Sequence, residues 1–377
     1  MTERGKAVRS SAQRVSTRGS RAWVTPFRAA LLGWFRRNAR DLPWRRTRDP
    51  YAIWISEIML QQTQVATVIG YYHRFLEAFP NVNALASAPE SEVLRLWEGL
   101  GYYRRARQLH AAAKYVAEKH GGRFPSEFDA IFALPGIGRY TAGAIASIAF
   151  DQSKPILEAN TIRLWARLAG IQDDLAAKAT QTRLWSLAES VLTDSRSGEI
   201  NQALMEVGGQ VCKPQAPQCH ECPVTSWCGA QRTGRPESIP RVRKKIEYEE
   251  VREIALIVRH NDRILVRQCG PKERWAGLWD FPRFAIGELG VKVDPQDLAT
   301  RCATMTGIKP RIGELLATIR HGVTRFRITL DCYQARASGH GRCRNTARWV
   351  STTELAELPL SVSGRRLATM LRNPKND

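Results

Sequence analysis

From residue 23 to about residue 230, apolar residues recur at intervals of three and four. Ala29, Leu32, Trp34 and Phe35 form one such stripe, Leu94, Leu96, Trp97 and Leu100 a second, and Leu184, Trp185, Leu187 and Val191 a third. This spacing stacks apolar side chains on one face of a helix. Strand-like alternation does not occur here. Turn signals at Phe79-Pro80, Gly121-Gly122 and Pro125-Ser126 divide the stretch. The pattern predicts an all-helical domain over residues 23–230.

The pattern changes after residue 230. Gly234, Pro236, Pro240 and the basic run at 241–245 read as a polar linker over 231–250. Beyond it, β-branched residues predict strands over 253–259 and 263–267, flanking a His-Asn-Asp turn at 260–262. Further strands are expected over 327–334 and near 348–351, and an amphipathic helix from about residue 363 to 372. The second domain, 251–377, is therefore α+β. A chain of 377 residues is also too long for one ordinary core.

The formal net charge of +21 changes the picture from fold to partner. It points to a polyanion, with nucleic acid ahead of an anionic membrane surface. The longest clean apolar run, 142–150, is far below the ~20 residues that cross a bilayer. The first 22 residues hold six Lys or Arg and one Glu with no apolar repeat. They read as a disordered basic arm, although an organelle transit peptide has a similar composition.

Cys212, Cys219, Cys222 and Cys228 are separated by six, two and five residues. Thiolates this close bind a soft metal centre or pair as disulfides, and no secretory signal favours disulfides. One Cys-x2-Cys flanked by single cysteines suits the four-thiolate ligation of an iron–sulfur cluster better than the paired knuckles of zinc. Cys269, Cys302, Cys332 and Cys343 are scattered and carry no assigned role.

Leu134-Pro-Gly-Ile-Gly138 sits between two helical stretches. Gly136 and Gly138 permit positive φ and close approach, and the helix from Arg139 would present free N–H groups to a phosphate. A glycine turn with no ligand fits the string equally well.

This hairpin, followed by the cysteine spacing, resembles the endonuclease III superfamily of base-excision DNA glycosylases over residues 23–230. Leu-Pro-Trp-Arg at 42–45, Trp-Ile-Ser-Glu-Ile-Met-Leu-Gln-Gln-Thr-Gln at 54–64 and Gly-Leu-Gly-Tyr-Tyr at 99–103 resemble its MutY-type adenine glycosylases. The resemblance implies removal of adenine mispaired with 8-oxoguanine or guanine in duplex DNA. It also implies a 4Fe-4S cluster on the four cysteines and a monomer in the cytoplasm, at the nucleoid.

It further implies roles. Glu57 becomes the general acid at the purine. The residues alone leave it either buried, with a raised pKa, or solvated on a polar helix face. Glu158, where the family has Asp, faces the sugar cation, with Asn160 in support. One added methylene moves that carboxylate by roughly 1.5 Å. Tyr140 stands where bifunctional relatives have a lysine, which implies a monofunctional enzyme. Arg40, Leu42, Trp44, Arg45 and Gln202 match positions lining the adenine pocket. Gln62 and Tyr102 match residues that enter the base stack, although Tyr102 also reads as core packing, and Lys213 reaches phosphate.

Gly277-Leu-Trp-Asp-Phe-Pro282 resembles the MutT-like, Nudix-fold C-terminal domain of the same family. The stretch 287–307 lacks the acidic pairs of a working Nudix hydrolase. By resemblance the domain reads 8-oxoguanine through Val323, Thr324 and Arg325, where the family often has Phe-Ser-His. Two rivals remain: a pyrimidine- or thymine-mismatch glycosylase, and a catalytically weak iron–sulfur lesion-binding protein.

Overall fold

The computed structural model describes residues 15, 22–193, 195–241, 247–286, 294–339, 341–344 and 346–372. Most of the 1–22 arm and residues 242–245 of the basic run lie outside the described residues. Val15, within that arm, is buried in an apolar cluster with Trp23, Phe27 and Trp165.

The helices are α1 (Val24–Asn38), α2 (Pro50–Leu60), α3 (Val65–Ala78), α4 (Val82–Ser87), α5 (Glu90–Leu96), α6 (Arg104–Lys119), α7 (Phe128–Phe132), α8 (Arg139–Phe150), α9 (Ala159–Ala169), α10 (Lys178–Ser190), α11 (Ser197–Glu206) and α12 (Gly229–Arg232). A π-helical turn, Val207–Val211, follows α11. The sheet domain runs β1 (Glu249–His260), β2 (Arg263–Gln268), β3 (Trp279–Asp280), β4 (Arg283–Ala285), α13 (Pro295–Thr306), β5 (Arg311–Val323), β6 (Phe326–Arg336), β7 (Ala347–Val350), α14 (Thr352–Glu357) and α15 (Val362–Arg372).

Two compact units emerge, and they cut across the sequence boundary. One holds residues 1–72, 81–83 and 112–244, and the other 73–80, 84–111 and 245–377. Part of the helical stretch thus packs with the sheet domain. Within that second unit the Glu98 carboxylate accepts from Arg365 Nη2 at 2.9 Å, and Arg107 Nη1 donates to the Ala276 carbonyl at 2.5 Å. Such pairings across more than a hundred residues leave no local signal in a sequence.

In the first unit, local chemistry sets the helix ends that matter for the site. Asp49 caps α2 by accepting from Tyr51 N, with Pro50 at the first position. Glu158 caps α9 in a reciprocal capping box with Thr161, and Gly170 closes the helix in the left-handed region. In the second unit, the strand order is β3-β2-β1-β6-β5, with β4 pairing β1 and β7 pairing β2. β1 and β6 are parallel and β5 and β6 antiparallel. Apolar layers cover both faces, one built on α14 and α15, the other on α13. No described helix is long and apolar enough to cross a membrane.

Candidate active site and DNA-facing residues

Residues 51 to 59 of α2 are all buried, and Glu57 is among them at 3% exposure. Of the two readings its sequence allowed, the structure selects burial. Tyr140, from the first turn of α8, donates its hydroxyl to Glu57 Oε2 at 2.7 Å. Burial pushes the Glu57 carboxyl up to about 7. The Tyr140 bond opposes this, the Glu158 charge adds to it, and Arg45 works against it. The Tyr140 phenol is itself held well above its ordinary value, first by burial and then by the Glu57 charge. Tyr140, Glu158 and Arg45 therefore all act on one buried carboxyl.

Glu158 is anchored where it caps α9. Its Oε2 accepts from Asn160 N and its Oε1 from Thr161 N, both at 2.8 Å. Each oxygen keeps a lone pair free. The Asn160 side chain accepts from Arg163 Nη2 at 2.9 Å, and the same guanidinium donates to the Gly208 and Cys212 carbonyls at 2.7 Å. A Cβ on Gly208 would press on Asn160 at 3.1 Å, so the glycine lets the π-helical turn close over it. One turn along α9, buried Arg167 donates to the Lys213 and Pro214 carbonyls and to Cys212 Sγ at 3.4 Å. Two arginines thus tie the cysteine loop to the helix that Glu158 caps. Sequence reading missed both.

It also missed Glu206. This fully buried carboxylate at the end of α11 accepts from Arg40 Nε and Nη2 at 2.8 Å and from Arg45 Nη2 at 2.7 Å. Burial pushes Glu206 up, but the hydrogen bonds from Arg40 and Arg45 outweigh it and hold the group at about 2. Arg40 and Arg45, expected to line a purine pocket, spend their forks on this internal anion. Arg45 also donates to the Arg40 carbonyl. Leu42 and Trp44 are buried, with Trp44 edge-on to Tyr72 at 5.5 Å. Gln202 is half-buried and turns its amide nitrogen toward the Gly198 carbonyl of its own helix at 3.3 Å.

The hairpin joins α7 to α8. Gly136 takes φ +76, as expected, but Gly138 is extended at φ −93 and ψ 173. A Cβ at Gly138 would meet nothing within 4 Å inside the protein. Neither its backbone angles nor the space around it require a glycine there. The guanidinium of Arg139, the first residue of α8, lies 3.8 Å from the centre of the Trp185 ring. Trp185 is another residue whose role was unseen in the sequence, where it reads only as part of an apolar stripe.

Gln62, in the turn after α2, is exposed at φ +55. Tyr102, in the other unit, is 47% exposed at φ +48, which rules out the core-packing alternative. Thr324, at the tip between β5 and β6, is exposed at φ +54. Non-glycine residues in this region are costly and cluster at functional places. Beside Thr324, Val323 is half-buried, and Arg325 is exposed with Nε 3.6 Å from Glu249. Lys213 is exposed.

All eight cysteines are free thiols. Burial pushes the Cys222 thiol up to about 12, and Cys212, Cys228 and Cys219 push it the same way. The four thiols thus lie near enough to act on one another's charge. Among the described residues no three His, Cys, Asp or Glu side chains converge tightly enough for a single ion. In the sheet domain, Glu253 pairs with Arg274 and Arg283, and Arg267 with Glu273, around a cavity of about 220 Å³. Residues 287–293 of the stretch compared with a Nudix hydrolase lie outside the described residues.

One unit thus holds a buried acid, a helical hairpin and a four-cysteine loop, and the other a mixed sheet between helical layers. Residues 55–190 match the HhH-GPD superfamily of base excision DNA repair proteins, and residues 253–370 match the NUDIX domain. The rat adenine DNA glycosylase is 43% identical over 274 residues, covering 70% of this chain and 52% of its own length. That of Buchnera aphidicola from Acyrthosiphon pisum is 37% identical over 259 residues, covering 68% and 74%. A thermostable thymine-DNA glycosylase structure superposes with TM-score 0.51 at 31% identity, over 55% of this chain and 95% of its own. The chain belongs to the adenine DNA glycosylase family. It spans about half the length of the mammalian relatives it matches.

Proposed function

We propose that this chain is a monofunctional glycosylase that excises adenine mispaired with 8-oxoguanine or guanine in duplex DNA. The observation that carries the reading is Glu57, a buried carboxyl held near pH 7 by its surroundings and bonded to Tyr140. Adenine leaves poorly as an anion, so Glu57 gives its proton to a ring nitrogen as the glycosidic bond breaks. The Glu158 carboxylate, fixed by two backbone N–H bonds, faces the cationic sugar. Water adds to the sugar carbon and its released proton restores Glu57. No amine stands at position 140, so no Schiff base forms. Single-turnover assays on duplexes with adenine opposite 8-oxoguanine, adenine opposite guanine and thymine opposite guanine test the reading. Release of thymine alone would transfer it to the pyrimidine-directed rival. That rival's solved representative matches only about half of this chain.

The product strand should stay intact until heated in base, and borohydride should trap no covalent adduct. High-yield trapping would require an amine elsewhere in the site.

Cys212, Cys219, Cys222 and Cys228 would hold a 4Fe-4S cluster, which supplies a rigid charged anchor for the loop carrying Lys213. Purified protein should contain about four irons per chain. Zinc in their place would overturn this assignment.

Gln62 and Tyr102 enter the stack when the adenine flips, and Thr324 with its neighbours reads the opposing base. Arg139, on its Trp185 platform, meets a phosphate beside the hairpin. Trp185→Ala should weaken duplex affinity by about three- to tenfold and lower the salt slope by about one, whereas Trp185→Phe preserves both. An unchanged slope for Trp185→Ala would remove Arg139 from the phosphate contacts.

A further inference from the structure

Arg259, Arg336 and Arg311 stand side by side on β1, β6 and β5. Arg259 is in register with Arg336, and Arg336 with Arg311. Cross-strand partners point to the same face, so three guanidinium groups share one row. Like charges directly opposite one another are destabilising. Among the described residues no ion pair joins any of the three to a carboxylate, although Glu314 is close by in β5.

All three arginines are exposed, but the row is more than edge protection. Charges on an edge strand protect it against pairing with other chains. Here only Arg311 is on the edge strand, while Arg259 and Arg336 belong to interior strands. They lie on the face that α15 covers, because Ile257, two residues before Arg259, packs into the apolar layer beneath α14 and α15. The row begins where α15 ends. A cleft of about 1010 Å³ opens there, lined by the three arginines together with Ile257, Leu316, Met370 and Leu371. Leu316 is 38% and Met370 39% exposed, and neighbouring Leu315 is 51% exposed.

From this we infer that the cleft at the end of α15 is a docking site for an acidic, amphipathic segment of a partner protein. Its carboxylates neutralise the arginine row and its apolar residues cover Leu316 and Met370. Guanidinium forks match carboxylates in bidentate geometry. The exposed apolar wall distinguishes this occupant from duplex DNA, whose backbone offers nothing to bury there. The arginine row also lies at the far end of β5 from the Val323–Thr324 tip, roughly 35–40 Å away along the strand.

The probe is a pool of fluorescent eight-residue peptides alternating Asp or Glu with Leu, Ile, Val or Phe, titrated against the full chain by anisotropy. The best members should bind with Kd below about 100 µM at 0.1 M salt, a range suited to one short segment. A pool with Lys in place of the acids should not bind. Arg336→Glu and Arg336→Gln should each weaken binding at least tenfold, and Met370→Glu comparably. Arg336→Gln should melt no lower than the parent, because it relieves repulsion. A fall in its melting temperature would show that the row is already neutralised internally and would overturn the inference. So would absence of binding across the pool, or binding unchanged in Arg336→Glu. If a 20-base-pair duplex displaces the peptides and Arg336→Glu weakens duplex affinity, the cleft is a DNA surface instead.

Discussion

Glu57→Gln should lower the single-turnover rate of adenine release at least about 100-fold, the usual scale for loss of a general acid, while duplex affinity survives. Gln keeps the shape and can still accept from Tyr140, so only the transferable proton is lost. In the parent protein the rate should fall as pH rises through about 7, where Glu57 gives up its proton. Tyr140 stabilises the charged form, so Tyr140→Phe should move that fall to higher pH. The same group acts on stability in the opposite sense. In the unfolded chain Glu57 deprotonates near 4.5, and in the folded chain near 7. The folded state therefore holds the extra proton between these values, and stability declines across them as pH rises. Above pH 7, Glu57→Gln should be more stable than the parent, by up to roughly 3 kcal/mol. Urea melts at pH 5 and pH 8 measure this. A variant that is inactive but no more stable at pH 8 would mean that Glu57 is not buried in solution.

Glu206→Gln should strongly destabilise the fold. Removing one partner from a buried ion pair costs about 3–5 kcal/mol, since the other charge is left without compensation. Arg40 can turn toward water, being over a third exposed, but Arg45 is largely enclosed. A cost near the lower end, about 3 kcal/mol, is expected. Because the Glu206 carboxyl titrates at about 2 in the folded chain, its contribution is complete above the ordinary carboxylate range and fades as pH falls through it. The gap between parent and variant should thus be full at pH 7 and narrow by pH 3. A constant gap would show that the loss comes from packing, not charge.

How far the sequence disclosed all this depended on where each signal came from. The stripes around Leu32 and Leu187 gave α1 and α10 because each helix buries one face against a core. The stripe through Leu94 and Leu100 overran, since α5 ends at Leu96 and the chain then turns through Gly99 and Gly101, both at positive φ. β1, β2, β6, β7 and α15 fell close to their expected places. β5 was invisible: most of its thirteen residues are exposed on a sheet edge, so no alternation marks it. At the site, Glu57 stood out as a lone carboxylate in an apolar helix. Glu206 carries the same mark beside Ala203, Leu204 and Val207, and it could have been read the same way. Arg163, Arg167 and Trp185 could not, because their partners are loop carbonyls, a thiol and a guanidinium set by the folded backbone.

The left-handed backbones at Gln62, Tyr102 and Thr324 carry one more consequence. Each costs of order 1 kcal/mol that glycine would recover in part. A laboratory selection for heat resistance alone would therefore drift toward glycine at these three addresses. It would discard an amide, a phenol ring that lies against Arg105 and a hydroxyl that donates to the Val323 carbonyl. Scanning the chain for positions where thermal tolerance and adenine release move in opposite directions would then test, without any bound DNA, the proposed duplex contacts.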